Sequence, residues 1–169
     1  NEIVSVSLPE KFKNKKIILL DTANNIIPSS VEKGQKISFL AQVPSFGYAT
    51  YKIRLGEPKI KEERRGFVSG ENECILENEG YKIVFDLKKG GTIKSLLVKK
   101  SNKEYVKKDS QFLFGELRGY FYEENQFHSS KENPAEVTLI KDNPLETSIL
   151  IRGKIASQPF TQIVTISKG

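Results

Sequence analysis

Tyr81-Lys82-Ile83-Val84-Phe85-Asp86-Leu87-Lys88-Lys89-Gly90-Gly91-Thr92-Ile93-Lys94-Ser95-Leu96-Leu97-Val98 is the run that sets the class of this chain. Tyr81, Ile83 and Phe85 alternate with Lys82, Val84 and Asp86, the two-residue period of an extended segment with two unlike faces. Lys88-Lys89-Gly90-Gly91 then reverses the chain, since glycine accepts the positive φ of a tight turn, and residues 93–98 return. Two such runs about a Gly-Gly pair predict an antiparallel hairpin. Asp86 reads as a turn former and not as a ligand.

The same period continues on both sides. Upstream, Val4, Val6 and Leu8 alternate with Ser5, Ser7 and Pro9, and residues 17–20 form an apolar run suited to a strand buried on both faces. Asn24–Asn25 signals a turn. Ile37, Phe39, Ala41 and Val43 mark a further strand, closed by Pro44-Ser45-Phe46-Gly47, and another begins at Tyr48 and runs to Leu55. Residues 56–72 lose the pattern and read as a linker, in which nothing caps a helix over residues 59–65. Beyond Cys74-Ile75-Leu76 and the hairpin come a short strand at Tyr105–Val106, an aromatic-rich stretch over residues 112–127, and strands over 137–140, 147–155 and 160–166. No ten-residue stretch carries the 3.6-residue period of a helix. The expected class is therefore all-β: a small β-sandwich module over residues 1–55, a linker over 56–72 and a second β region over 73–169.

Composition bounds the chemistry. One Cys and one His exclude an internal disulfide and a zinc site made of His and Cys ligands. The surplus of 27 Lys and Arg over 21 Asp and Glu, a net charge of +6, raises the question of a polyanionic partner. The lysines fall in two places, residues 11–16 and 88–108, at strand spacing, with acidic stretches between them. They read as solvated edges and turns that discourage edge pairing, so no nucleic-acid partner is expected. No apolar run approaches the ~18 residues of a membrane span, so no membrane partner is expected; the lack of a signal-peptide pattern says little, since an internal piece would have lost it. The absence of Met and a strand-like opening at Asn1 read as an excised piece of a longer polypeptide.

Three constellations invite a chemical reading. His128 lies beside Ser129–Ser130 and close after Glu123–Glu124, the residue types of a hydrolase triad, but neighbours in sequence lack the separate approach directions a triad needs; the plainer reading is a polar loop. Glu116 with Glu123 or Glu124 offers a carboxylate pair of the glycosidase kind, but a proton donor needs a desolvated pocket, and solvated surface carboxylates are the expectation. Finally, Phe112, Phe114, Tyr120, Phe121, Tyr122 and Phe127 read first as core, although Arg118, Tyr120, Tyr122 and Asn125 are the amphipathic and polar groups that grip sugars. Neither a G-x-S-x-G elbow nor a phosphate-binding loop is present.

The order of segments resembles the post-catalytic β domains of family 38 glycoside hydrolases, the α-mannosidases. The resemblance is carried by residues 3–9, by Lys15-Lys16-Ile17-Ile18-Leu19-Leu20-Asp21, and by the strand from Val43 to Tyr51, which follows a V-P-x-x-G-Y-x-x-Y pattern. Residues 76–86 and Gly90-Gly91-Thr92-Ile93-Lys94-Ser95-Leu96 complete it. It implies a small β module followed by the N-terminal part of a galactose-mutarotase-like β-supersandwich. It also implies a parent enzyme that is a retaining α-mannosidase, whose catalytic Asp and zinc ligands lie in an upstream domain of the same polypeptide. No catalytic residue and no metal ligand would then belong to this chain, and zinc would be the parent's cofactor. In the family a tyrosine of a G-A-Y-type segment binds mannose hydroxyls. Arg118-Gly119-Tyr120-Phe121-Tyr122 is the nearest match, one residue short between Gly and Tyr, so Tyr120 and Tyr122 are both candidates, with Arg118 beside them. A secreted or periplasmic parent is implied by polysaccharide-degrading relatives, and association through exposed sheet edges is expected. The alternative is a stand-alone carbohydrate-binding β-sandwich with Tyr120, Tyr122 and Phe127 as an exposed platform.

Overall fold

The computed structural model of the chain describes residues 2–32, 35–57 and 66–167. Among these, all regular structure is antiparallel strand apart from four short 3-10 turns, so the chain is all-β. It divides into two compact units. The first is built from Asn1–Arg64 with Asn143–Leu145, and the second from Arg65–Asp142 with Glu146–Lys168.

The first unit holds two three-stranded sheets. One has the order β1–β5–β4, from β1 (Glu2–Ser7), β4 (Ser29–Glu32) and β5 (Lys36–Ala41), and the other β3–β2–β6, from β2 (Ile17–Leu20), β3 (Ile26–Ile27) and β6 (Lys52–Leu55). Leu8, Ile17, Leu19, Ile37 and Phe39 form its core, with Val4, Phe12, Ile27, Ala41, Tyr51 and Ile53 packed around them. The run 17–20 is buried at three of its four positions, as a two-faced strand requires. β3 and β4 escaped the sequence reading because Pro28 separates two short runs in which little alternates. β6 begins at Lys52, four residues later than expected. The segment before it, with Phe46 at φ 57 and Phe46 and Tyr48 exposed, forms no ladder.

In the second unit a five-stranded sheet runs β11–β10–β9–β8–β7, with β7 (Phe67–Ser69), β8 (Glu73–Glu77), β9 (Tyr81–Asp86), β10 (Thr92–Val98) and β11 (Lys103–Glu104). The expected hairpin is β9–β10. The Asp86 carboxylate accepts a hydrogen bond from the Lys88 N–H at 3.1 Å, and Gly90 and Gly91 sit at φ 67 and 72. The glycines do more than turn. A Cβ on Gly90 would lie 2.1 Å from the Ser130 carbonyl oxygen, and one on Gly91 would lie 2.5 Å from an Ile151 methyl. β7 extends the ladder into the stretch read as linker, because Phe67 packs on the core and the Glu77 N–H donates to the Gly66 carbonyl at 2.7 Å. Residues 59–65, where the helix question arose, lie outside the described residues. The short strand expected at Tyr105–Val106 is instead β11, two residues earlier. There Glu104 accepts from the Ser95 hydroxyl and the Leu96 and Val106 amides, which hold its carboxyl down at about 2.

A second sheet, β14–β15–β16, is formed by β14 (Glu136–Asp142), β15 (Glu146–Ile155) and β16 (Gln158–Ser167). Between the five-stranded and the three-stranded sheet lies the core of Cys74, Leu76, Ile83, Phe85, Leu87, Ala135, Ile149, Ile151 and Ile166. Burying each large apolar side chain contributes about 1.5–3 kcal/mol. The thiol of Cys74, with no exposed surface, is pushed up to about 11 by burial. β16 pairs with β15 over ten consecutive residues with no register shift, and its other edge carries no ladder among the described residues.

Candidate functional site

The aromatic stretch folds into a separate two-stranded element, β12 (Arg118–Phe121) paired with β13 (Gln126–Ser129), so that Tyr120 faces Phe127 and Gly119 faces His128. Asn125 at φ 53 closes the turn between the strands. The hairpin is seated by backbone and side-chain bonds. Ser130 N–H donates to the Leu117 carbonyl at 2.9 Å, Leu117 N–H donates to the Ser130 hydroxyl at 3.1 Å, and Ile93 N–H donates to the Phe114 carbonyl at 2.8 Å. A capping box at Ser129-Ser130-Lys131-Glu132 finishes β13: Ser129 Oγ accepts from Lys131 N–H, and Glu132 accepts from Ser129 N–H at 3.0 Å. Ser-x-x-Glu is the sequence signal that marks it.

One face of the hairpin carries Arg118, Tyr120 and Phe127, with Tyr122 just beyond the strand. The Tyr120 ring meets Tyr122 and Phe127 edge to face, each at 5.0 Å, with interplanar angles of 80° and 68°. The Arg118 guanidinium lies over Phe112 at 4.4 Å and Phe127 at 5.4 Å, a cation–π sandwich that holds the arginine at the surface. These rings are not core. Tyr122 is 87% exposed, Phe127 62% and Phe112 50%, while Tyr120 is 38% exposed. The expectation of an aromatic core over 112–127 is thereby corrected: the core of this unit is filled by Phe85 and by aliphatics, mostly from β8, β9, β15 and β16, and no residue of 112–127 belongs to it. Between the two candidate tyrosines the hydroxyls differ. Tyr120 Oη donates to Asn125 Oδ1, whereas Tyr122 projects from the turn.

On the other face His128 is held on both ring nitrogens. Nε2 lies 2.7 Å from Glu124 Oε2 and Nδ1 lies 3.2 Å from Glu132 Oε2, with the Phe121 ring perpendicular to the imidazole at 5.1 Å. The hydrogen bonds of Glu124 and Glu132 raise the His128 pKa above its usual value, against a smaller opposing effect of burial. The bonds from His128 and Gln126 lower that of Glu124.

Glu116 corrects a second expectation. Its side chain is 2% exposed, not solvated. Ser129 Oγ donates to it at 2.6 Å and Leu113 N–H at 2.8 Å, with Lys131 Nζ at 3.5 Å and Arg118 Nε at 3.7 Å. Burial pushes its pKa up, but the Ser129 and Leu113 bonds and the Lys131 charge outweigh that and leave it lowered. A carboxyl held ionised in this way is no proton donor. Ser129 is likewise committed to Glu116 and not to His128, so the structure brings no triad together. Among the described residues no group of three or more His, Cys, Asp or Glu is arranged to hold a metal ion, so the zinc implied by the resemblance finds no matching donor set in them.

No family profile matches the chain, and no curated protein matches it in sequence. Its fold does match solved structures. An α-mannosidase from Enterococcus faecalis V583 superposes with a TM-score of 0.57 at 14% identity, over 99% of this chain and 27% of that one. A protein of glycosyl hydrolase family 38 from Enterococcus faecalis gives the same TM-score at 15% identity, over 99% of this chain and 28% of the other. The chain thus spans about a quarter of the length of these structures. At such identity the likeness is one of fold.

Proposed function

We propose that this chain is the β-domain portion of an α-mannosidase-type glycoside hydrolase: a non-catalytic framework that supports a zinc-dependent catalytic domain of the same polypeptide and turns the Arg118–Phe121 strand, with Tyr122 beyond it, toward the α-mannoside. The observation that carries this reading is the superposition of nearly the whole chain on about a quarter of two glycosidase structures, one an α-mannosidase. What the chain does with its own polar groups supports it. Glu116, Ser129 and Glu132 are spent on seating the hairpin, and His128 on joining two of its carboxylates. In this reading Arg118 and Tyr120 stiffen the face, and Tyr122 offers its ring to a sugar C–H surface and its hydroxyl to a sugar hydroxyl.

The chain alone, given p-nitrophenyl α-mannoside, is expected to show no turnover. Turnover that disappears in Glu116→Gln or Glu124→Gln would overturn the non-catalytic role. The coding sequence preceding this segment is expected to specify an α/β barrel with Asp and His metal ligands. The exposed rings favour a second reading, a carbohydrate-binding module that works by itself. Their perpendicular planes count against a flat platform, since a pyranose face stacks on one ring at a time. NMR titration with methyl α-mannoside separates the two. A platform predicts comparable weakening by Tyr122→Ala and Phe127→Ala, whereas a single projecting tyrosine predicts weakening by the first alone.

A further inference from the structure

The geometry points to a protonation latch on the sugar-facing hairpin: His128, as imidazolium, ties the turn at Glu124 to the capping turn at Glu132 and so fixes how Tyr122 is presented. That the latch regulates sugar contact rests on the reading given under Proposed function; the latch itself rests on bonding alone. Both ring nitrogens face carboxylate oxygens, at 2.7 and 3.2 Å. A carboxylate only accepts, and a neutral imidazole carries one N–H, so both contacts are satisfied together only when the ring carries two protons. With one proton lost, a bare nitrogen lone pair would face a carboxylate.

The released state also has a partner in place. Gln126 Nε2 is 2.9 Å from His128 Nε2 and 3.0 Å from Glu124 Oε2. In the latched state the imidazolium Nε2–H and the amide both donate to that oxygen, and the 2.9 Å between their nitrogens is a donor–donor contact that favours release. Once Nε2–H is lost to solvent, the Gln126 amide donates to the bare nitrogen instead, and Glu124 is held only by whatever the amide still gives it. The groups facing the ring are therefore Glu124 from the turn, Gln126 from β13, Glu132 from the capping turn and the uncharged Phe121 from β12. Glu124 sits two residues from Tyr122, and Asn125, which takes the Tyr120 hydroxyl, lies between Glu124 and Gln126. Letting go of Glu124 loosens the segment on which both tyrosines depend.

The sign follows from the two partners. His128 titrates above its ordinary value and Glu124 below its own, so the latch is closed between those two limits. It opens as pH rises through the His128 midpoint, and again in strong acid as Glu124 protonates.

The test is an NMR pH titration of the full chain without sugar, following the His128 ring protons and the amides of residues 122–126. The expected result is a His128 midpoint above the ordinary ~6.5 and turn amides that shift with the same midpoint. Glu124→Gln should lower that midpoint and speed hydrogen exchange in the turn several-fold at neutral pH. Glu123→Gln, which removes the same charge one residue away, should do neither. Glu132 is a poor choice for mutation because it also closes the cap. A His128 midpoint at or below the ordinary value, or turn amides that ignore it, overturns the latch. A second arm adds methyl α-mannoside on either side of the midpoint. Sugar shifts at residues 120–122 that weaken as the latch opens support the regulation. Equal shifts at both pH values overturn the regulation, and no shifts at either pH, with the titration intact, overturn the sugar reading while the latch stands.

Discussion

Glu116 shows how a residue type suggests one chemistry and its surroundings assign another. By composition it is half of a carboxylate pair; in place it is a buried anchor whose two oxygens receive Ser129 Oγ and the Leu113 N–H. Replacing it with Gln turns one acceptor into an N–H donor facing a donor, at a cost of about 1–3 kcal/mol. Urea unfolding at neutral pH should show that loss. Because the folded-state pKa of Glu116 is lowered, its contribution is complete above the unfolded carboxylate range and fades as pH falls through the folded value. The gap between wild type and Glu116→Gln should close in acid accordingly. A gap that persists unchanged at low pH would mean that charge and acceptor strength contribute nothing. Sequence could not reveal this role, since Glu116 and Ser129 are brought together by the β12–β13 ladder, thirteen positions apart.

At the scale of elements, the Gly-Gly hairpin was legible because the alternating pattern and the turn chemistry agree; β1 and β5 were readable from alternation alone, and β2 from its unbroken apolar run. What could not be read is why both glycines are needed. The φ of 67 at Gly90 is met by many turns, but its closeness to the Ser130 carbonyl comes from another element. Gly115 offers the contrast: it has φ 78, yet the nearest atom to an added Cβ is 3.7 Å away. Gly115→Ala should therefore cost only backbone strain, about 1–2 kcal/mol. Gly90→Ala should cost more than that, since backbone must shift as well. Thermal melts of the two variants under one condition check the order, and equal losses would mean the Gly90 contact relaxes freely. The aromatic hairpin was misread for a related reason: alternation tells which residues share a face, not whether anything covers it.

Across the molecule, the most exposed liability is β16. Its ten residues, Gln158-Pro159-Phe160-Thr161-Gln162-Ile163-Val164-Thr165-Ile166-Ser167, include no charge. Natural sheets usually blunt such an edge with lysine, a bulge or a cover, and here Pro159 lies near one end only. The 169-residue chain studied alone should self-associate with rising concentration. Ile163→Lys, on a residue that is 61% exposed, should suppress this without unfolding the protein. Sedimentation at a series of concentrations reads it, and a monomer throughout would mean the edge is protected. Sheet-edge association is legible in the sequence only in general terms; that the long, uncharged run of residues 158–167 forms an edge follows from the pairing, in which β16 meets β15 alone among the described strands. The sealed thiol at Cys74 has a practical corollary at this scale. With no reactive sulfur elsewhere in the chain, Tyr122→Cys would accept a fluorophore at one position only. The motion of the turn that carries Tyr122 could then be watched directly, against a dark background.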